Sequence, residues 1–308
     1  MAVKKKTLTC ILAALELSAV LLATSGCAPE TGPGICYRIT GGKSDMVILG
    51  SIHVGNRDMT GFGSHITAAI GDADVFVFEC DTTSTESRQI TMQYQLSDEA
   101  LANQLSPETY ARLEETSRAA GIPMETLERF HPWAVSSLLT SAQAAKELGA
   151  GSAGRAQAMG VEETVWAMVK GREVRYLETP EMQLEILCNF SPELLDAMVL
   201  SGCELVLNPG QSDVSQWPDW WQSGDTEKFV AAFDAENDFH SPELTAEYKD
   251  ALLTRRNQHM ADVLCGYLEE DGRNFFVTVG LYHLVLPDDS VLVELENRGY
   301  KVERLDGR

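Results

Sequence analysis

The sequence predicts an α/β (α+β) fold: a mixed or parallel central sheet built from both chain ends, with a large helical insertion between them. Three observations lead there. Short apolar runs rich in β-branched and aromatic residues cluster near the two ends of the chain, as buried strands do. The middle carries Leu, Ala, Glu and Arg at helical spacing. Strand–helix–strand order along the chain favours parallel or mixed pairing. The 308 residues suffice for one large domain or two small ones.

In chain order, Cys36–Thr40 (CYRIT) and Met46–Leu49 (MVIL) flank a GGKSD turn and read as a hairpin or adjacent strands. A short helix over 63–71 leads to a strand at Val75–Phe78 (VFVF). Residues 97–129 read as helical, with Ser106 as a cap and Pro107 after it as a start signal. Helical patterns continue over 132–148, 161–170, 180–189 and 191–207, interrupted by a strand at Val174–Leu177 (VRYL). Residues 225–236 and 241–270 add two or more helices, the second opening on Ser241-Pro242-Glu243. The chain closes with a strand at Phe275–Val279 (FFVTV), a helix over 290–298 and a strand at Lys301–Arg304 (KVER). Strand order within the sheet is not readable from these patterns.

Composition narrows the function. The chain has 24 Lys+Arg against 46 Asp+Glu, a net charge of −22. That balance argues against nucleic acid, which needs a basic face, and against docking on anionic lipid by charge alone. With 44% apolar and 23% charged residues the chain has ordinary globular usage.

Residues 1–26 place MAVKKK before an apolar stretch, the layout of a secretory signal. Ser25 and Gly26 precede Cys27, which resembles a bacterial lipobox in which that Cys is acylated; Thr24 stands where Leu is usual. An ordinary cleaved signal and an uncleaved anchor are the alternatives. All three put the folded part outside the cytoplasm, with membrane attachment through a lipid in the first case. Residues 27–34 form a Pro/Gly-containing tether, and 35–308 the folded domain. The remaining cysteines, Cys36, Cys80, Cys188, Cys203 and Cys265, are scattered and contain no CxxC pair, so they read as small buried side chains.

The clearest chemical signal is a repeated motif. Gly50-Ser51-Ile52-His53 follows strand MVIL, and Gly280-Leu281-Tyr282-His283 follows strand FFVTV. Each puts a His just beyond a buried strand, past a Gly that admits close backbone approach. Glu79 holds the equivalent place after strand VFVF. Ligand sites of open α/β sheets lie at the carboxyl ends of strands. Two imidazoles and a carboxylate make a three-ligand set that leaves a metal position open. A lone His at a strand end is ordinarily a hydrogen-bonded structural residue; the repetition is what points to a site. No Gly-x-Ser-x-Gly elbow, HExxH or Walker loop occurs.

Several segments in order resemble the TraB/PrgY/GumN family, to which the Tiki proteases are related: ILGSIHVGNRDM (48–59), ADVFVFECD (73–81), GVEETVWAMVKGREVRYLETPEMQLEIL (160–187), WWQSGD (220–225), RRNQHMADVL (255–264) and FFVTVGLYHLVLPDDSVLVELENRGYKVERL (275–305). The resemblance implies an erythromycin-esterase/ChaN-like core with both Gly-x-x-His motifs, an acid and an Arg facing one cleft. It implies metal-dependent hydrolysis of a peptide or protein outside the cytoplasm, with Mn²⁺ or Co²⁺ as the metal and Zn²⁺ as a further candidate. Pheromone-shutdown relatives suggest non-catalytic peptide binding instead, and the core a haem or iron carrier.

His53, Glu79 and His283 are then the expected metal ligands. Glu79 is alternatively the base, since a carboxylate beside a divalent cation accepts a proton from the water it activates. The family's Arg-Asn pattern selects Arg256 and Asn257, with Arg256 expected to stabilise a developing oxyanion. Glu178 is expected as a second acid in the cleft or as the cap of the following helix, and Gln183 as a hydrogen-bonding neighbour. His131 reads as a helix-start residue, and the Trp217–Trp221 cluster as core and lid packing, with peptide binding beside a cleft as the alternative.

Overall fold

A computed structural model describes residues 32–59 and 61–306. The expected signal, Cys27 and most of the expected tether lie outside the described residues. Among the described residues no helix is long and apolar enough to cross a membrane.

Six strands form one sheet: β1 (Cys36–Thr40), β2 (Asp45–Ser51), β3 (Val75–Phe78), β4 (Glu173–Tyr176), β5 (Asn274–Gly280) and β6 (Lys301–Leu305), in the order β4-β3-β5-β2-β1-β6. β4, β3, β5 and β2 are mutually parallel, while β1 is antiparallel to both β2 and β6. The sheet is therefore mixed and drawn from both chain ends plus the mid-chain β4, as the strand patterns predict.

The central strands read as continuous apolar runs because both faces of the sheet are covered. Phe76 and Phe78 of β3 point to one face, into a core with Leu49, Phe276, Val161, Val165, Trp221 and Phe229. Val75 and Val77 point to the other, against Met46, Ile48, Val277, Met260, Leu264 and Leu295. Helices Ser64–Asp72 and Val161–Val169 cover the first face, and Arg255–Leu268 and Val291–Asn297 the second. The insertion has its own cores, one joining Leu113, Val135, Leu139 and Val199, another Trp133, Leu184, Phe190 and Leu194.

Where the helices differ from expectation, the causes are local. The expected run over 97–129 is three helices, Leu101–Gln104, Pro107–Ala120 and Met124–Leu127. Ser106 caps the second by accepting from the Thr109 N–H, and Gly121 ends it in a left-handed conformation at φ 68°. A helix at Thr85–Gln95 is additional to the expected set; of its residues only Ser87 is buried, and its packed face carries just Ile90 and Tyr94, a short apolar signal. Helices at Ala153–Ala158 and Trp217–Ser223 are also additional. The run over 241–270 is Pro242–Lys249, a π-helical turn at Asp250–Thr254, and Arg255–Leu268.

Among the described residues the cysteines are unpaired. Trp220 and Trp221 are buried in the core, and the Trp221 indole N–H donates to the Gly50 carbonyl at 2.7 Å.

Candidate active site

Parallel pairing brings the motifs together. Ser51 is in register with Gly280, and Phe78 with both Thr278 and Tyr176. The residues just past these positions, His53, Glu79, Glu178 and His283, all emerge at the carboxyl edge of four adjacent strands. Glu178 continues the pairing, its N–H donating to the Glu79 carbonyl at 2.7 Å. Thr179, not Glu178, caps the helix Pro180–Cys188, accepting from the Met182 N–H. That frees Glu178 to turn inward, where its side chain is 1% exposed.

Arg256 ties the acids together. Its Nη2 donates to Glu79 Oε2 and to Glu178 Oε2, each at 2.7 Å, and its Nε to Glu178 Oε1 at 2.9 Å. Its Nη1 donates to the Leu252 carbonyl at 3.2 Å, within the π-helical turn. Arg255 points outward instead, 71% exposed and paired with Asp250. Gln183 completes the network, donating from Nε2 to Glu178 Oε2 at 2.9 Å and to Glu79 Oε2 at 3.1 Å, and accepting from the Cys80 thiol. The other Glu79 oxygen, Oε1, accepts from the Gly280 N–H. Burial opposes the ionisation of Glu79, but Arg256, both histidines and the Gly280 N–H outweigh it and bring the carboxyl down to about 2. Four of the five Arg256 N–H groups are thus committed to carboxylates and backbone.

His283 is fixed from behind. Asn257, fully buried, donates from Nδ2 to the Asp289 carbonyl and carboxylate at 3.1 and 3.0 Å. Its Oδ1 therefore faces His283 and accepts from Nδ1–H at 2.6 Å. Burial, reinforced by Arg256, lowers the His283 imidazole to about 4, so it is neutral at pH 7. Its unprotonated Nε2 lies 3.9 Å from Glu79 Oε1. His53, 69% exposed, stands across the opening. Gly280 keeps the centre clear: a Cβ there would lie 3.1 Å from Glu79 Oε1, 3.6 Å from His283 Cδ2 and 3.9 Å from His53 Nε2.

The cleft in front of these groups is lined by His53, Glu79, Cys80, Gln157, Glu162 and Gln183 among others, with a volume of about 90 Å³. Glu162 is the principal residue that sequence reasoning missed. Its carboxylate is 3.8 Å from His53 Nδ1. Burial raises it to about 7; His53 opposes that rise, and Glu79 and Glu163 add to it. In sequence it is one of two acids in the first turn of a helix, where acids are common because they complement the helix dipole.

The donor chemistry suits a divalent cation: a neutral imidazole with Nε2 free, a carboxylate held ionised and a second imidazole on the open side. As placed, no three His, Cys, Asp or Glu among the described residues form a closed ligand set. His53 is the most exposed member of the set, at 69% against 5% for His283 and 14% for Glu79. His131 begins the helix Pro132–Glu147 without a side-chain cap bond, and His65 and His259 bond backbone carbonyls away from the cleft.

Comparison with known proteins bears on the whole sheet and cleft: the model of the TraB/PrgY/gumN family matches residues 35–304. Neither a curated protein nor a solved structure matches the chain.

Proposed function

The chain belongs to the TraB/PrgY/gumN family, and from that premise we propose that it is a metal-dependent hydrolase of peptides, exported and lipid-anchored through Cys27. The observation that carries the reading is the meeting of both Gly-x-x-His motifs and Glu79 around Gly280. Two motifs 230 residues apart converge there with a buried, ionised carboxylate between them.

His53 and His283 Nε2 and Glu79 Oε1 are the atoms that would hold the cation, Mn²⁺ or Co²⁺ before Zn²⁺. When bound, it would supply Lewis-acid polarisation of the scissile carbonyl. The protein's part is preorganisation. Asn257 holds the His283 tautomer that presents Nε2. Arg256 keeps Glu79 charged, and its low basicity suits a ligand better than a proton acceptor. With Nε and Nη2 both bonded to carboxylates, Arg256 acts on the reaction by fixing Glu79 and Glu178. Gly280 leaves room for a substrate atom over the carboxylate.

The test is peptide turnover by the full-length protein, read by mass spectrometry of products from a mixed peptide library. Cleavage is expected to be abolished by chelation, restored by Mn²⁺ or Co²⁺, and absent in His283→Ala. Binding of peptides without products under every metal would replace hydrolysis with sequestration.

A further inference from the structure

His283 has an evident anchor in Asn257, whereas the exposed His53 has no hydrogen bond to its ring among the described residues. The partner is supplied by the chain itself. The helix Val161–Val169 is docked directly on the segment carrying His53. The Val161 N–H donates to the Ile52 carbonyl at 3.1 Å, and the Gly55 N–H to the Ala156 carbonyl at 2.9 Å. Gly160 permits the approach, since a Cβ there would fall 2.8 Å from the His53 carbonyl oxygen. Glu162 follows two residues later, in the first turn. Its Oε2 reaches 3.8 Å from His53 Nδ1, while His53 Nε2 is turned towards the space over Gly280. No hydrogen bond occupies the Glu162 side chain among the described residues, and it is 20% exposed, facing the cleft.

We infer that Glu162 is the positioning residue for His53: its carboxylate accepts Nδ1–H and so keeps Nε2 unprotonated and aimed at the cleft. The two histidines are then held alike, each with Nδ1–H on an oxygen of a neighbouring helix, Asn257 for one and Glu162 for the other. The 3.8 Å separation closes by rotation of the exposed His53 side chain. Carboxylate and amide partners of this kind orient ligating histidines in metal sites and raise their basicity. This role rests on the metal reading only for its consequence; the tautomer itself belongs to the protein alone.

The experiment separates the two. Long-range ¹H–¹⁵N spectra of the metal-free, full-length protein at pH 8 report the tautomer of each ring. Wild type is expected to show His53 predominantly as the Nδ1–H form. Glu162→Ala shifts its tautomer ratio roughly 2- to 10-fold towards Nε2–H, the factor one net hydrogen bond supplies. Glu162→Gln, which keeps an acceptor oxygen, retains the wild-type ratio. The His283 signals stay unchanged in all three and show that the fold is intact. A His53 in the Nε2–H form in wild type, or a ratio insensitive to Glu162→Ala, overturns the inference. In parallel, Co²⁺ titration followed by visible absorption is expected to give roughly 10- to 100-fold weaker binding in Glu162→Ala. Wild type that takes up no Co²⁺ defeats the metal reading while the tautomer result decides the role of Glu162.

Discussion

Replacing Arg256 with Met removes the charge that holds two buried carboxylates and leaves a side chain of similar length. Glu79 sits at about 2 in the folded protein against an ordinary 4.5. At 1.36 kcal/mol per pH unit that difference corresponds to about 3 kcal/mol of stability at neutral pH. Glu178 loses its partner as well, so the whole loss falls in the range of about 3–5 kcal/mol typical of a broken buried pair. The sign follows from the depressed value. Stability from Glu79 is present above pH 4.5 and is lost as pH falls towards 2. The difference between wild type and Arg256→Met is therefore largest at pH 7.5, and its Glu79 part shrinks to roughly 1 kcal/mol by pH 3. Urea unfolding of both proteins at the two pH values measures it. A loss below about 1 kcal/mol at pH 7.5, or an equal loss at pH 3, refutes the view that Arg256 keeps Glu79 ionised.

Other consequences are as specific. Burial raises Glu236 to about 7, and one carboxylate oxygen has no partner among the described residues. Its contribution is present below pH 4.5 and lost as pH rises through 7, so Glu236→Gln stabilises at pH 8 by up to about 3 kcal/mol and little at pH 4, read as the shift in urea midpoint. Trp221→Phe strands the Gly50 carbonyl at the end of β2 and costs about 1–3 kcal/mol, seen in thermal unfolding. Gly280→Ala has no left-handed backbone to strain but sets a methyl against Glu79. It is expected to keep stability within about 1 kcal/mol while Co²⁺ affinity falls at least tenfold, by calorimetric titration. Labelling of cells with a radioactive fatty acid is expected to mark wild type and not Cys27→Ala.

The strands and the motif pair were legible because buried parallel strands are written as continuous apolar runs, and a Gly-x-x-His after such a run puts the His at the sheet edge. Strand order was not legible, since β2 and β5 pair across more than 220 residues and local pattern carries no pairing information. The helix Thr85–Gln95 escaped because its packed face carries only Ile90 and Tyr94 among mostly polar residues. The inward turn of Arg256 beside an outward Arg255 has no marker in residue type, since adjacent helical residues point about 100° apart and both are Arg. Glu162 was hidden differently: an acid at a helix start looks like a dipole complement, and only the Gly160 contact with the His53 backbone makes it a neighbour of the site.

The central claim, that the two histidines and Glu79 hold a catalytic metal, is tested most directly by measuring bound Co²⁺ and peptide turnover on the same samples across a metal titration. Wild type is expected to bind one ion per chain, with turnover rising in proportion to occupancy. His53→Ala, His283→Ala and Glu79→Gln are expected to lose both together. Turnover that persists in chelator, or metal binding that survives loss of His283, contradicts the account.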